Sequence, residues 1–206
     1  MGEFLFQFQV QGYLLVMILW NIFLAVIPCV IVWRLLHGMK QRPWSKLKGH
    51  RTAIIILFLV WFFFFPNTAY LFTVIRHLVD YCSHYNFYRV CSEGEWRVLF
   101  FYAYSFLGVP TYYYSLKGMS RVFDHLFGRL PALLLPIIMI PLTSIGLMFG
   151  LFERFNSWDI VTRPHQLFIT VGTYFTEPYR LVDFIGFTIV LYFIYYLTAF
   201  LLRKND

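Results

Sequence analysis

Residues 53–79 read AIIILFLVWFFFFPNTAYLFTVIRHLV, and their reading decides the fold. The first thirteen carry no polar side-chain atom except the indole nitrogen of Trp61. A helix of about 20 such residues crosses the roughly 30 Å hydrocarbon layer with every backbone group paired internally. This run is longer than that, so a tilt or a break is expected, and Pro66 removes the amide donor where a break would fall.

Working outward, four more stretches have the same character, at about 11–35, 97–116, 132–152 and 182–202. Composition agrees: the 206 residues are 60% hydrophobic and 13% charged, with 25 Phe, 15 Tyr and 6 Trp and a mean hydropathy of +0.64. Soluble domains are about 45–50% apolar and about 25% charged, and a sphere of this size has no interior able to hide the surplus. Disorder, a disulfide-stapled mini-fold and a soluble enzyme are excluded together. The expected fold is an all-α membrane protein of five transmembrane helices, residues 1–206 forming a single polytopic domain without repeats.

The 17 Lys and Arg residues set the expected orientation. Eleven fall on one face, including Lys40, Arg42, Lys46, Lys48, Arg51, Lys117, Arg121 and Arg203, while Arg76, Arg89, Arg97, Arg154, Arg163 and Arg180 fall on the other with most of the acids. This places the N-terminus outside and the C-terminus inside, in the cytoplasmic membrane. No Lys or Arg precedes the first span, which is too long for a signal-peptide core and reads as a retained anchor. Cys29 follows Val26-Ile27-Pro28, which lacks the small residue expected before a lipidated cysteine, so it reads as a buried thiol. Cys82 and Cys91 share a short outer loop, where the readings are a disulfide or two free thiols.

The inner loop HGMKQRPWSKLKGHR (37–51) concentrates five cations beside Trp44. Each contributes about 1 kcal/mol of attraction to an acidic leaflet, so anionic lipid is the expected partner and nucleic acid is not. Nucleotide loops, nucleophile elbows and zinc-protease patterns are absent from the sequence, and no cofactor is assigned. Proline interrupts four spans: Pro28, Pro66, Pro110, and the pair Pro136 and Pro141. Each frees carbonyls that a neighbour must satisfy; in transporters such breaks line substrate sites, and elsewhere they kink and pack.

Asn67 and Thr68 follow Pro66 directly. Asn67 either bonds a carbonyl freed by the proline or faces a ligand. If the helix runs on past residue 80, His77, Asp80 and His84 fall on one face at i, i+3 and i+7. That spacing is necessary for a helix-borne metal site and far from sufficient, a solvated interfacial face being the commoner reading, and the cation of Arg76 opposes a metal unless Asp80 pairs with it. On the same outer side, LFERFNSWDIVTRP (151–164) ends the fourth span. Asn156 or Ser157 can cap a short helix whose first turn holds Asp159, with Trp158 in the aromatic belt. The apolar run that follows, Leu167 to Phe175, is too short to cross, so 157–176 is an interfacial or re-entrant segment.

Pro66-Asn67-x-x-Tyr70, Thr73 and His77, followed about eighty residues later by Asn156-Ser157-Trp158-Asp159, resemble the bacterial multi-pass membrane proteins grouped as domain-of-unknown-function family 1361. In the pattern the resemblance implies, the first block reads Pro-Asn-x-Pro-Tyr, then Thr-Asp, then His. Ala69 stands here for the second proline and Val74 for the aspartate, which weakens any site pairing that carboxylate with His77. The resemblance implies a bacterial cytoplasmic-membrane protein and no activity. Because both blocks map to the outer leaflet, Asn67, Thr73, His77, Asp80, Asn156, Ser157, Trp158 and Asp159 form the expected outward-facing polar pocket.

Two principal functions compete at this level. An accessory subunit would dock a membrane-protein partner or lipid through its small loops. A membrane-embedded enzyme acting on a lipid-linked or envelope substrate would use His77 as acid or base and Asp159 to orient it. A transporter or channel would need several chains around a shared path, because one chain has few intramembrane charges.

Overall fold

The computed structural model describes residues 9–10, 13–41, 51–76, 95–155 and 159–203. The chain begins there with a two-residue antiparallel pair, β1 (Gln9–Val10) and β2 (Tyr13–Leu14), with Gln9 opposite Leu14. All later elements among the described residues are helical. The helices are α1 (Leu15–Gln41), α2 (Arg51–Phe64), α3 (Pro66–Tyr70) with a 3-10 extension over Leu71–Arg76, α4 (Glu95–Phe106) and α5 (Gly108–Phe127). They are followed by α6 (Arg129–Met148) with a π-helical turn over Phe149–Glu153, α7 (Asp159–Thr162), α8 (Pro164–Thr176) and α9 (Pro178–Arg203).

Four helical stretches among the described residues are long and apolar enough to cross a membrane: 16–39, 52–76, 129–153 and 178–203. The chain is therefore a membrane-embedded helical protein. The remaining expected span, 97–116, is divided at Leu107 between α4 and α5 and is not among the four. Its place in the bundle explains its composition. α5 packs on α1, α3, α4, α6 and α9, and Tyr112, Ser115, Leu116, Met119 and Val122 are buried at the three-to-four-residue spacing of one helical face. A helix covered by protein needs fewer apolar side chains than one covered by lipid. α9 is the converse case: 11% of its most apolar stretch is buried within the chain, against 44% for 129–153. Ile189, Phe193 and Phe200 stand exposed along it.

The prolines do less damage than their number suggests. Pro28 lies inside α1, and Pro136 and Pro141 lie inside α6, with the helices unbroken. For Pro141 the compensation is visible. Its missing amide would have bonded the carbonyl of Ile137, four residues back, and that oxygen instead accepts the Tyr192 hydroxyl of α9 at 2.7 Å. Interruptions occur at Phe65, before Pro66, and at Leu107, three residues before Pro110. Both joint residues keep helical dihedrals, φ −56° and ψ −39° at Phe65, φ −59° and ψ −23° at Leu107. The interruption is in the hydrogen-bond ladder.

Side-chain bonds stitch the helices where water is not available to satisfy polar atoms. Trp61 Nε1 donates to Ser115 Oγ at 2.9 Å, joining α2 to α5. The Tyr104 hydroxyl donates to the Ile18 carbonyl at 3.3 Å, and Thr188 Oγ1 meets Ser144 Oγ at 3.0 Å. Cys29 is a partly buried free thiol donating to the Thr111 carbonyl at 3.3 Å.

Candidate functional site

The site begins at the proline bend. Pro66 has no amide hydrogen, and the Thr68 amide turns to the Phe65 carbonyl at 3.0 Å instead of bonding Phe64 four residues back. The Phe64 carbonyl so released accepts Asn67 Nδ2 at 3.0 Å, and Thr68 Oγ1 donates to the Phe65 carbonyl at 2.7 Å. Asn67 thus satisfies the carbonyl that the turned Thr68 amide releases, at the edge of an open space.

That space exists because α3 is seated deeply on α6. A Cβ at Gly146 would lie 2.8 Å from Cβ and Cγ of Pro66, and one at Gly150 would lie 3.1 Å from Cε2 of Tyr70. The pair forms Gly-x-x-x-Gly on the face that receives α3, the pattern by which membrane helices approach closely. One turn on, the α-helix opens into the π-turn, and the Phe155 amide reaches back to the Phe149 carbonyl at 3.0 Å. Arg154 then takes a left-handed conformation, φ 55° and ψ 32°, the single non-glycine residue with positive φ among those described. A left-handed residue is a common way for a helix to end, and the Phe155 amide bonding back to Phe149 is the six-to-one bond of such a cap.

These irregularities surround one cavity of about 660 Å³, bounded by α1, the end of α2 with α3, and α6 with its π-turn. Its walls are mostly apolar, with Leu24, Phe62, Phe63, Met139, Leu142 and Phe149 among them. The polar lining is sparse: Asn21, Asn67, Tyr70 and Thr143, together with the two cations Arg76 and Arg154. Among the described residues no carboxylate lines it. Arg76 Nη1 donates to the Leu151 carbonyl at 3.4 Å, which ties the 3-10 extension to the π-turn. Glu153, the acid nearest in sequence to Arg154, pairs instead with Arg180 Nη2 at 3.4 Å. Arg180 also lies 4.7 Å over the Phe152 ring and near Glu177, at 3.9 Å. Tyr174 is buried beside this group, and burial pushes its hydroxyl above the ordinary range, with Glu153 adding to the shift and Arg180 opposing it.

Of the residues singled out in the sequence, Asn67 lines the cavity. Thr73 does not; its hydroxyl donates to the Tyr70 carbonyl of its own helix at 2.7 Å. Asp159 is buried in the first turn of α7, accepts Thr162 Oγ1 at 3.1 Å and is not a lining residue. His77, Asp80, His84, Cys82, Cys91, Asn156, Ser157 and Trp158 lie outside the described residues. Among the described residues no group of three His, Cys, Asp or Glu side chains is placed to hold a metal. α8 spans 13 residues, about 20 Å at 1.5 Å per residue, too short to cross, and its Leu167 reaches the cavity.

Sequence reasoning missed Gly146, Gly150 and Asn21. The two glycines carried a readable signal in their four-residue spacing, and Asn21 carried one as an amide within the apolar α1. Neither signal says what the residue faces.

No curated protein and no solved structure matches the chain. A family model does match, over residues 20–197, well beyond the two short blocks that carry the resemblance. The chain thus belongs to the DUF1361 family, proteins of unknown function.

Proposed function

We infer that this protein binds an amphipathic, lipid-type molecule within the membrane, taking its apolar part into the cavity between α1, α3 and α6. The observation that carries this reading is the cavity itself. At about 660 Å³ it falls in the size range of small-molecule sites, roughly 300–1,000 Å³, and it combines apolar walls with a few polar groups. In membrane proteins, irregular backbone at bilayer depth is tolerated where it is buried or lines a cavity. Here a proline bend, a π-turn and a left-handed arginine all border the same one. The charge bias of the loops supports a cytoplasmic membrane with this cavity toward the outer leaflet.

An enzyme acting on a lipid-linked substrate would add chemistry to this binding step, and an accessory subunit would add a docking partner. The binding step is the part that the geometry supports. It is tested by purifying the full chain in mild detergent and measuring co-purified lipid by native mass spectrometry. About one retained lipid per chain is expected. Leu24→Trp, which fills the cavity from α1, should lose it while keeping helical content and melting temperature. Equal lipid retention by a folded Leu24→Trp protein would overturn the reading.

A further inference from the structure

We propose that Arg76 and Arg154 form a head-group site for a phosphate-bearing lipid, the apolar part of which occupies the cavity; this rests on the amphiphile reading above. Both arginines line the same cavity, and among the described residues no Asp or Glu does. Glu153, the acid next to Arg154 in sequence, pairs with Arg180 at 3.4 Å. Two like charges bordering one apolar space raise the potential there, and an anion of the ligand is what lowers it.

The chemistry of the donors narrows the anion. Each guanidinium carries five N–H donors in a planar fork, and Arg76 commits one of them to the Leu151 carbonyl at 3.4 Å. The two oxygens of a carboxylate are satisfied by one arginine in a bidentate pair. Two arginines suit a group with more oxygens, and a phosphate ester meets that requirement. The backbone supports the same assignment. Arg154 adopts its left-handed conformation where the π-turn ends, and Arg76 is anchored to that turn through Leu151, so both cations are positioned by one irregular element. The apolar lining, Leu24, Phe62, Met139 and Leu142 among it, suits acyl or isoprenoid chains.

The test uses the full chain in neutral detergent with three probes sharing oleoyl chains: dioleoylphosphatidylglycerol, dioleoylglycerol and oleic acid. Wild type should hold the phosphatidylglycerol about tenfold or more tightly than either of the others. The double variant Arg76→Gln/Arg154→Gln should lose that preference and still bind dioleoylglycerol. The double lysine variant should recover only part of it, because an ammonium is a point charge without the fork. Each single glutamine variant should lose part of the preference, which keeps the result readable should the double variant not purify.

Equal wild-type affinity for phosphatidylglycerol and dioleoylglycerol, or a preference that survives the double glutamine variant, would overturn the head-group site while leaving the cavity reading standing. Oleic acid held as tightly as phosphatidylglycerol would overturn the phosphate assignment. If no probe binds and Leu24→Trp changes nothing, the cavity reading fails and takes the head-group site with it.

Discussion

The two helix joints of this protein, at Phe65 and at Leu107, are alike in backbone and opposite in surroundings. Each interrupts the hydrogen-bond ladder while keeping helical dihedrals, and each is followed by a glycine contact or a proline that brings another element close. At Leu107 the side chain stands exposed, but the Gly108 side of the joint is closed. Gly108 is buried with Phe72 against it, a Cβ there falling 2.7 Å from the ring, and Thr111 Oγ1 returns to the carbonyls of Leu107 and Gly108 at 2.9 and 3.1 Å. At Phe65 the ring itself is buried and α3 packs on both α1 and α6, yet the Pro66–Asn67 side of the joint borders the open cavity. A bend in a membrane helix is therefore no sign of a site by itself. What distinguishes the two is whether a neighbouring side chain fills the volume beside the bend.

The sharpest way to break this comparison is to add one methyl group at each joint. Gly146→Ala places a Cβ 2.8 Å from the ring of Pro66, which is rigid and part of the backbone, so α3 itself must move. A destabilisation of about 1–3 kcal/mol is expected, together with loss of the retained lipid. Gly108→Ala meets Phe72 at 2.7 Å, a side chain at a closed joint, and should cost stability without changing lipid retention. Unfolding in mixed micelles and lipid counting on the same samples separate the two effects. Lipid loss in both variants would mean that the joints are coupled and the contrast is false.

A second effect, of about 1 kcal/mol, is expected from Ser115→Ala. Trp61 lies one turn before the open joint, fully buried, and its indole N–H donates to Ser115 Oγ of α5 at 2.9 Å. Removing the hydroxyl leaves that donor buried and unpaired. Because the bond holds α2 to α5 on the side away from the cavity, the variant should melt earlier and keep its lipid. If lipid retention fell with stability, the open joint would depend on the α2–α5 contact rather than on the glycines of α6.

Much of this architecture is legible in single residues, and the misses have a common cause. The long apolar run through 53–79 and its break at Pro66 follow from local chemistry, and so does the repair by Asn67, because the carbonyl it bonds belongs to Phe64, three residues away. The segment from Pro164 follows from a proline rule of the same range, with Pro164 at the helix start, and a short helix stands at Asp159 as its sequence leads one to expect. The reach of α5 to Phe127 does not show in an apolar count, since Lys117, Arg121 and Asp124 interrupt it. The helix persists because Leu116, Met119 and Val122 are covered by other helices, a long-range fact. The cavity is less legible still. It needs Asn21, Asn67 and the Gly146–Arg154 stretch to meet from three regions far apart in sequence, and no spacing rule reports what helices leave empty between them.

The smallest expected effect tests whether prolines in continuous helices differ in kind from the one at the open joint. At Pro141 the orphaned carbonyl of Ile137 accepts the Tyr192 hydroxyl at 2.7 Å, across from α6 to α9. Tyr192→Phe keeps the ring and removes only that donor, so the cost should be near the membrane average for an interhelical bond, about 0.6 kcal/mol. The Thr188–Ser144 bond, on the same pair of helices, remains to hold them together. Lipid retention should not change, because Tyr192 is not a lining residue. A loss several times larger would show that the Pro141 carbonyl behaves as an unsatisfied group in hydrocarbon. The continuous helix α6 would then depend on its neighbour as much as the bend at Pro66 depends on Asn67.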